Sequence, residues 1–407
     1  MKKLFLALLP TMIVLGVLET AARIASTVEA DHAASPETEA WVDYSPSIGW
    51  ERKPGFKGVI ANSEHEFDRR GYLAIDSPQI AAAPGRKKVL FLGDSNTFGF
   101  GVSAAASFVE QVEKRLPNVD AINLGVMGYT SHQGRLALER HLPVIKPDAI
   151  VISFNFNDRR YAPPSGAPDG TEEFERAYRA SKSHARAVAQ TLETAHLYRW
   201  LRRALTKAGI APRPQSDFDV TQLRPRVDEA SYRRNLAAMA ELGRQTGIPV
   251  IFVVLGDHPL QSEHLRRGVE SFQRREYDRA IAYLKTAMQS HKMFADLARL
   301  YLVRAYEARG DAAIAAEVKR SRSIYRSFTG GTVIRLDTDY QAIMREVAAA
   351  YAASLVDATQ VLDRQPQVFI DFCHFDAQGH RQVGELLAPR LSEVLNAPPH
   401  ASTKLAH

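Results

Sequence analysis

The sequence predicts an α/β protein built on a doubly wound parallel sheet, with helices on both faces. Short apolar runs recur along the chain, amphipathic helical segments separate them, and Gly- or Pro-containing turns close each run. Of the 407 residues, 45% are hydrophobic, which is ample for a large core.

The elements follow in order. Lys2 and Lys3 precede an uncharged run from Leu4 to Leu18. This is the layout of a signal peptide or of a retained signal anchor. Continued through Ala21, Ala22 and Ile24, it approaches the ~20 residues that a membrane span needs. Residues 1–25 are assigned to it, with membrane contact through 4–24. The rest of the chain is then expected outside the cytoplasm, in the periplasm or at the cell surface. Cleavage after Ala30 would release it as a secreted protein. Residues 26–85 read as a linker and irregular N-terminal extension, with Trp41, Trp50 and Tyr72 packing it onto the domain.

The main domain spans 86–396. Lys88–Leu92 is a first buried strand that breaks at Gly93. Ser107-Phe-Val-Glu110 has the form of a capping box, and Phe108, Val112 and Leu116 mark one face of the helix that follows. Val119–Asn123 is a second strand, 133–141 a helix and Ala149–Ser153 a third strand. Residues 161–224 leave this rhythm for a Pro-rich loop and a polar helix, an insertion over the sheet edge and a candidate lid. A helix over 228–245 and a strand over 249–255 resume it. Residues 333–352 then give a strand-like stretch and an Ala-rich helix, and Ser354–Asp357 a fifth strand. The last helix begins near Asp376 and buries Val383, Leu387, Leu391 and Val394; residues 397–407 form a flexible tail.

Between the fourth and fifth strands, residues 261–327 read as four helices. Small residues at Gly268, Ala280 and Ala287 are partly echoed by Gly310 and Ala315, at a spacing close to the 34-residue tetratricopeptide period. Two readings stand. One is a tetratricopeptide-like pair of units leaning on the domain, the other an ordinary helical hairpin insertion.

The strongest chemical signal is Leu92-Gly93-Asp94-Ser95-Asn96-Thr97-Phe98-Gly99. It places a serine just beyond the carboxyl end of the first strand, the edge where open α/β sheets bind ligands. A serine needs a base to become a nucleophile, and the base needs an orienting group. Asp371-Phe-Cys-His374 supplies both, because a spacing of three on a turn brings carboxylate and imidazole together. The chain order Ser, Asp, His is that of hydrolases on α/β sheets. Asn123-Leu-Gly-Val-Met-Gly128 follows the second strand and Asn155-Phe-Asn157-Asp158 the third. A glycine N–H and an Asn amide from these loops, with the Ser95 N–H, would make an oxyanion hole.

Together these blocks resemble the GDSL/SGNH hydrolase family, over roughly 86–160, 226–257 and 330–396. The resemblance implies a flavodoxin-like three-layer fold and a Ser-His-Asp acyl-enzyme mechanism. It implies Ser95 as nucleophile, His374 as general base and Asp371 as its orienter. It also implies an oxyanion hole of Ser95, Gly128 and Asn157. Two positions depart from the family pattern: Asn155 stands where Gly is usual, and Asn96 where an aliphatic residue is usual. With His258, beyond the fourth strand, these two are candidate substrate contacts.

The expected function is a serine esterase that hydrolyses or transfers an ester-linked acyl group. The expected substrate is a surface or secreted acylated polysaccharide, with lipid esters second. The competing reading is a membrane-tethered scaffold whose segment 261–327 binds a protein partner. The formal net charge of +6 is scattered, so nucleic acid is not an expected partner. Cys373 is the single cysteine, which excludes an intramolecular disulfide. The spacing of Asp371, Cys373, His374 and His380 matches no zinc pattern; no metal or other cofactor is expected. Cys373 is expected to be a buried small hydrophobe, His380 a packing residue at a helix start, and Arg159 and Arg160 solvated or ion-paired.

Overall fold

The computed structural model describes residues 41–45, 47–61, 63–73, 85–160, 225–257, 259–290, 295–320, 339–371 and 373–397. The expected membrane segment 4–24, the candidate lid 161–224, His258, residues 321–338 and the tail beyond 397 lie outside the described residues. Among the described residues no helix is long and apolar enough to cross a membrane.

Five parallel strands form the central sheet: β5 (Lys87–Gly93), β6 (Val119–Asn123), β7 (Ala149–Ser153), β8 (Val250–Val254) and β9 (Ser354–Asp357). They lie in the order β6-β5-β7-β8-β9, all pairs parallel. This is the flavodoxin-like order, with its switch point between β5 and β7. Every residue of β6, β7 and β8 is buried. Such strands carry apolar side chains on both faces, which is why they stand out as continuous runs.

The two faces build separate cores. On one, Leu90, Leu92, Ile150, Ile152 and Phe252 pack beneath α3 (Ser131–Ile145), α5 (Glu229–Thr246) and α10 (Tyr340–Ala350). On the other, Val89, Phe91, Val151, Ile251 and Val253 meet α2 (Phe108–Arg115) and α12 (Ala377–Asn396). Val383, Leu387 and Leu391 of α12 are fully buried, and Val394 packs at the margin.

Two expectations change. The described part of the presumed linker is structured: β1 (Val42–Ser45) pairs antiparallel with β2 (Gly49–Arg52), and β3 (Lys57–Ile60) with β4 (Ser63–Glu66). Trp41, Ile48, Phe67 and Tyr72 of this extension join the first core. At the start of α2, only half of the capping box forms. The Ser107 Oγ accepts from the Glu110 N–H at 3.3 Å, but the Glu110 side chain does not reach back and is buried instead. A complete box forms at α3, where the Gln133 Oε1 accepts from the Thr130 N–H at 3.2 Å. It starts that helix two residues earlier than expected.

The helical insertion consists of α6 (Pro259–Gln273), α7 (Tyr277–Ser290), α8 (Ala295–Arg309) and α9 (Ala312–Arg320). Its core of Leu265, Val269, Ala280, Leu284 and Leu302 extends to Phe156 and Cys373 of the main domain.

Candidate active site

Ser95 opens the one-turn helix α1 (Ser95–Phe98), directly after β5. The turn is tight because residue 93 is glycine: a Cβ there would lie 1.9 Å from the Thr97 Oγ1 and 2.7 Å from the Ser153 carbonyl. Asp94 caps α1, its Oδ1 accepting from the Asn96 N–H at 2.9 Å. Burial pushes the Asp94 carboxyl up to about 6, against the pull of the Asn96 N–H and of nearby His374.

The turn before α12 delivers the other two groups. The Ser95 hydroxyl donates to the His374 Nε2 at 2.7 Å, and the His374 Nδ1–H donates to the Asp371 Oδ2 at 2.6 Å. An ionised carboxylate can only accept, so the ring proton sits on Nδ1 and Nε2 is free to accept. The Asp371 Oδ1 also accepts from the Cys373 and His374 backbone N–H groups, at 2.9 and 2.8 Å. Burial alone would raise the Asp371 pKa, but the His374 bond and charge and these two N–H groups outweigh it and hold the carboxyl below its ordinary value. The Phe100 ring stacks on the imidazole, centroids 4.1 Å apart, and fixes its plane.

The loops after β6 and β7 complete the site. The Leu124 N–H donates to the Phe91 carbonyl at 2.8 Å, and the Val126 N–H to the Gly93 carbonyl at 3.1 Å. These bonds zip the loop along the end of β5 and bring Gly128 to the serine's edge of the sheet. The Asn123 Nδ2 adds a bond to the Thr97 carbonyl at 2.8 Å. Arg52, buried in the extension, donates to the Asn123 carbonyl at 3.0 Å and also to the Gly125 carbonyl. Gly128 has φ +80°, which glycine adopts without strain. Among the described residues, neither the Ser95 nor the Gly128 N–H donates a hydrogen bond. Two such donors at one sheet edge suit an incoming oxygen.

Asn157 lies on α4 (Phe156–Arg159) after β7. Its Nδ2 donates to the Asp94 Oδ2 at 3.3 Å and its Oδ1 accepts from Arg160 at 3.1 Å, which fixes the amide's direction. A primary amide carries two hydrogens, so one stays available beside the Asp94 bond. The Asp158 Oδ1 ties the same loop to α3, accepting from the Ser131 N–H at 2.9 Å and the Ser131 hydroxyl at 2.6 Å.

The structure thus brings Ser95, His374 and Asp371 into one hydrogen-bonded chain, with Gly128 and Asn157 on the neighbouring loops. Asn96 and Asn155 are buried, at 5% and 9% exposure, as is Asn157. Arg159 pairs with Asp257 and Arg160 holds Asn157, so both arginines are engaged within the fold. Cys373 is buried, as is His380, whose Nδ1 accepts from the Phe108 N–H at 3.2 Å. The donor atoms of Asp371, Cys373 and His374 lie within 4.8 Å of one another. The Asp371–His374 hydrogen bond joins two of these groups, and burial pushes the Cys373 thiol well above its ordinary range. Sequence reasoning missed Phe100, Arg52 and Arg226. Only Phe100, directly after the serine block, carried a local signal.

Residues 91–274 match the model of the GDSL-like Lipase/Acylhydrolase family. The match includes Ser95, Gly128 and Asn157 and ends before Asp371 and His374. The chain is similar to the solved structure of LAE5, an alpha/beta hydrolase from the metagenome of Lake Arreo, Spain, at 14% identity and TM-score 0.36, covering 76% of this chain and 97% of that one. It is similar to the lipase/acylhydrolase from Enterococcus faecalis at 16% identity and TM-score 0.36, covering 77% and 99%. A GDSL-like lipase from Bacteroides thetaiotaomicron matches at 14% identity and TM-score 0.35, covering 78% and 95%. No curated protein matches the chain.

Proposed function

We propose that this chain is a serine esterase that works through an acyl-enzyme at Ser95. The observation that carries the reading is the hydrogen-bonded chain from the Ser95 hydroxyl through His374 to Asp371, at 2.7 and 2.6 Å. The Ser95 Oγ attacks the ester carbonyl carbon as its proton passes to the His374 Nε2. Asp371 steadies the imidazolium that results. The carbonyl oxygen, now negative, takes hydrogen bonds from the Ser95 and Gly128 N–H groups and the Asn157 amide. Collapse of the tetrahedral species breaks the ester C–O bond, and the departing alcohol takes the proton from His374. Water, or a second hydroxyl, then attacks the acyl-enzyme by the same route in reverse, giving hydrolysis or transfer.

The uncharged run from Leu4 to Leu18, after Lys2 and Lys3, supports a place outside the cytoplasm, tethered or secreted. There we assign an O-acylated surface or secreted polysaccharide as the substrate class, with lipid esters second. The test is turnover of p-nitrophenyl esters from acetyl to long-chain, together with acetate release from an O-acetylated polysaccharide. Wild type is expected to turn over the short esters and to label at Ser95 with a fluorophosphonate probe. Ser95→Ala is expected to lose on the order of 10³-fold or more in kcat with the fold intact. Unchanged turnover in Ser95→Ala, or a wild type that neither turns over nor labels, ends the proposal.

A further inference from the structure

The Gly128 N–H belongs to the peptide that joins it to Met127. In a trans peptide the C=O and N–H point in opposite directions, and the described chain contains no cis bond. Whatever holds the Met127 carbonyl therefore also aims the Gly128 N–H. That carbonyl accepts from the indole N–H of Trp50 at 3.2 Å.

The next peptide is held as well. The Gly128 carbonyl accepts from the Arg226 Nη1 at 2.8 Å, and the Arg226 Nη2 is braced by the Gln133 Oε1 at 3.2 Å. The guanidinium lies over the Trp50 ring, 5.6 Å from its centroid. Tyr129 closes the arrangement: its hydroxyl donates to the Trp50 carbonyl at 2.7 Å, and its ring meets the indole edge-on with centroids 5.8 Å apart. A glycine offers little resistance to rotation of its flanking peptides, because no Cβ restricts φ. An outside hold is what a fixed N–H at position 128 requires.

We infer that Trp50 is a positioning residue, whose indole N–H locks the Met127–Gly128 peptide with its N–H turned toward the reacting oxygen. The inference rests on the proposed esterase reading. It gives the N-terminal extension a part in the chemistry, because the residue that sets the oxyanion donor lies on β2, outside the main domain.

The test replaces Trp50 with 3-benzothienylalanine, which keeps the shape of the ring and exchanges its N–H for sulfur, and in parallel makes Trp50→Phe. Both are measured for p-nitrophenyl acetate turnover, for affinity toward an arylboronic acid that forms a tetrahedral adduct at Ser95, and for crystal structure. Removal of an oxyanion donor costs about 10²–10³-fold, so partial misalignment is expected to lower kcat by roughly 10- to 100-fold with KM within about twofold. Boronate affinity is expected to fall in parallel, and the crystals to show the 127–128 peptide rotated. A benzothienylalanine enzyme with wild-type kcat and boronate affinity overturns the inference while the esterase reading stands. So does a lowered kcat with the peptide unmoved. A wild type with no ester turnover and no Ser95 labelling overturns both, and is recognised before any variant is made.

Discussion

At the scale of single residues, the site depends on which nitrogen of His374 carries the proton. Asp371 decides this, because its carboxylate accepts from Nδ1 and leaves Nε2 to accept from Ser95. The two backbone N–H groups on the Asp371 Oδ1 keep the carboxylate turned to the ring. Asp371→Asn keeps the shape and inverts the logic. An amide N–H facing Nδ1 forces the ring proton onto Nε2, which then points a donor at the Ser95 oxygen. On the proposed mechanism kcat falls by a factor on the order of 10⁴ near neutral pH, with little change in circular dichroism. Steady-state kinetics with p-nitrophenyl acetate checks this. A loss below about tenfold would mean that the carboxylate does not set the tautomer. Phe100 works beside it by stacking, which limits tilt of the ring rather than its protonation.

At the scale of elements, legibility followed burial. The strands β6 and β7 occupy the residues read as strands from the sequence, and every residue of both is buried; β9 also falls at the expected residues, although as an edge strand it buries only Val356. The hairpins of the extension were not legible. Val42–Ser45 and Ser63–Glu66 are four residues long; the first mixes polar with apolar side chains, the second is wholly polar, and both sit among turn residues that signal loop. The same contrast holds at the site. Ser95, Asp371 and His374 lie in short blocks whose chemistry is visible locally, whereas Trp50 and Arg226 reach the Gly128 loop through contacts 77 and 98 positions apart in the chain. No local pattern encodes such contacts. Glu110 shows the limit of a pattern that was visible, since burial drew its side chain away from the box its spacing suggested. In the helical insertion, small residues mark where helices approach. A Cβ at Gly268 would lie 2.7 Å from the Leu284 side chain, so α6 and α7 touch there. Gly268→Val overpacks that contact and is expected to cost about 1–3 kcal/mol in urea unfolding. An unchanged midpoint would show that the two helices do not depend on close approach.

Across the whole molecule, buried ionisable groups set the response to pH, and they pull in opposite directions. Burial, aided by the charge of Arg52, takes His65 down to about 4. Burial takes His141 to about 4, and burial with the nearby His374 takes His380 to about 3. Each would gain its proton near 6.5 in the unfolded chain. The unfolded state therefore binds more protons below that pH, and stability is lost as the solution is acidified. Asp94 and Glu110 act the other way. Burial raises Asp94 to about 6, and burial with the neighbouring Glu113 raises Glu110 to about 7. The folded state keeps protons there that the unfolded chain releases above about 4, so stability is lost as pH rises through that range. Between about pH 4.5 and 6.5 the two sets oppose each other, and the stability of the wild type should vary only shallowly. Glu110→Gln isolates one arm. The Glu110 Oε1 has no hydrogen-bond partner among the described residues, so the change removes a titration more than a contact. The variant should match wild type near pH 4.5 and become progressively more stable above it, by up to ~1.4 kcal/mol per pH unit, until the difference levels off near pH 7. Urea unfolding at half-unit pH steps would show this. A difference that is constant with pH would mean that Glu110 keeps its ordinary pKa in the folded protein.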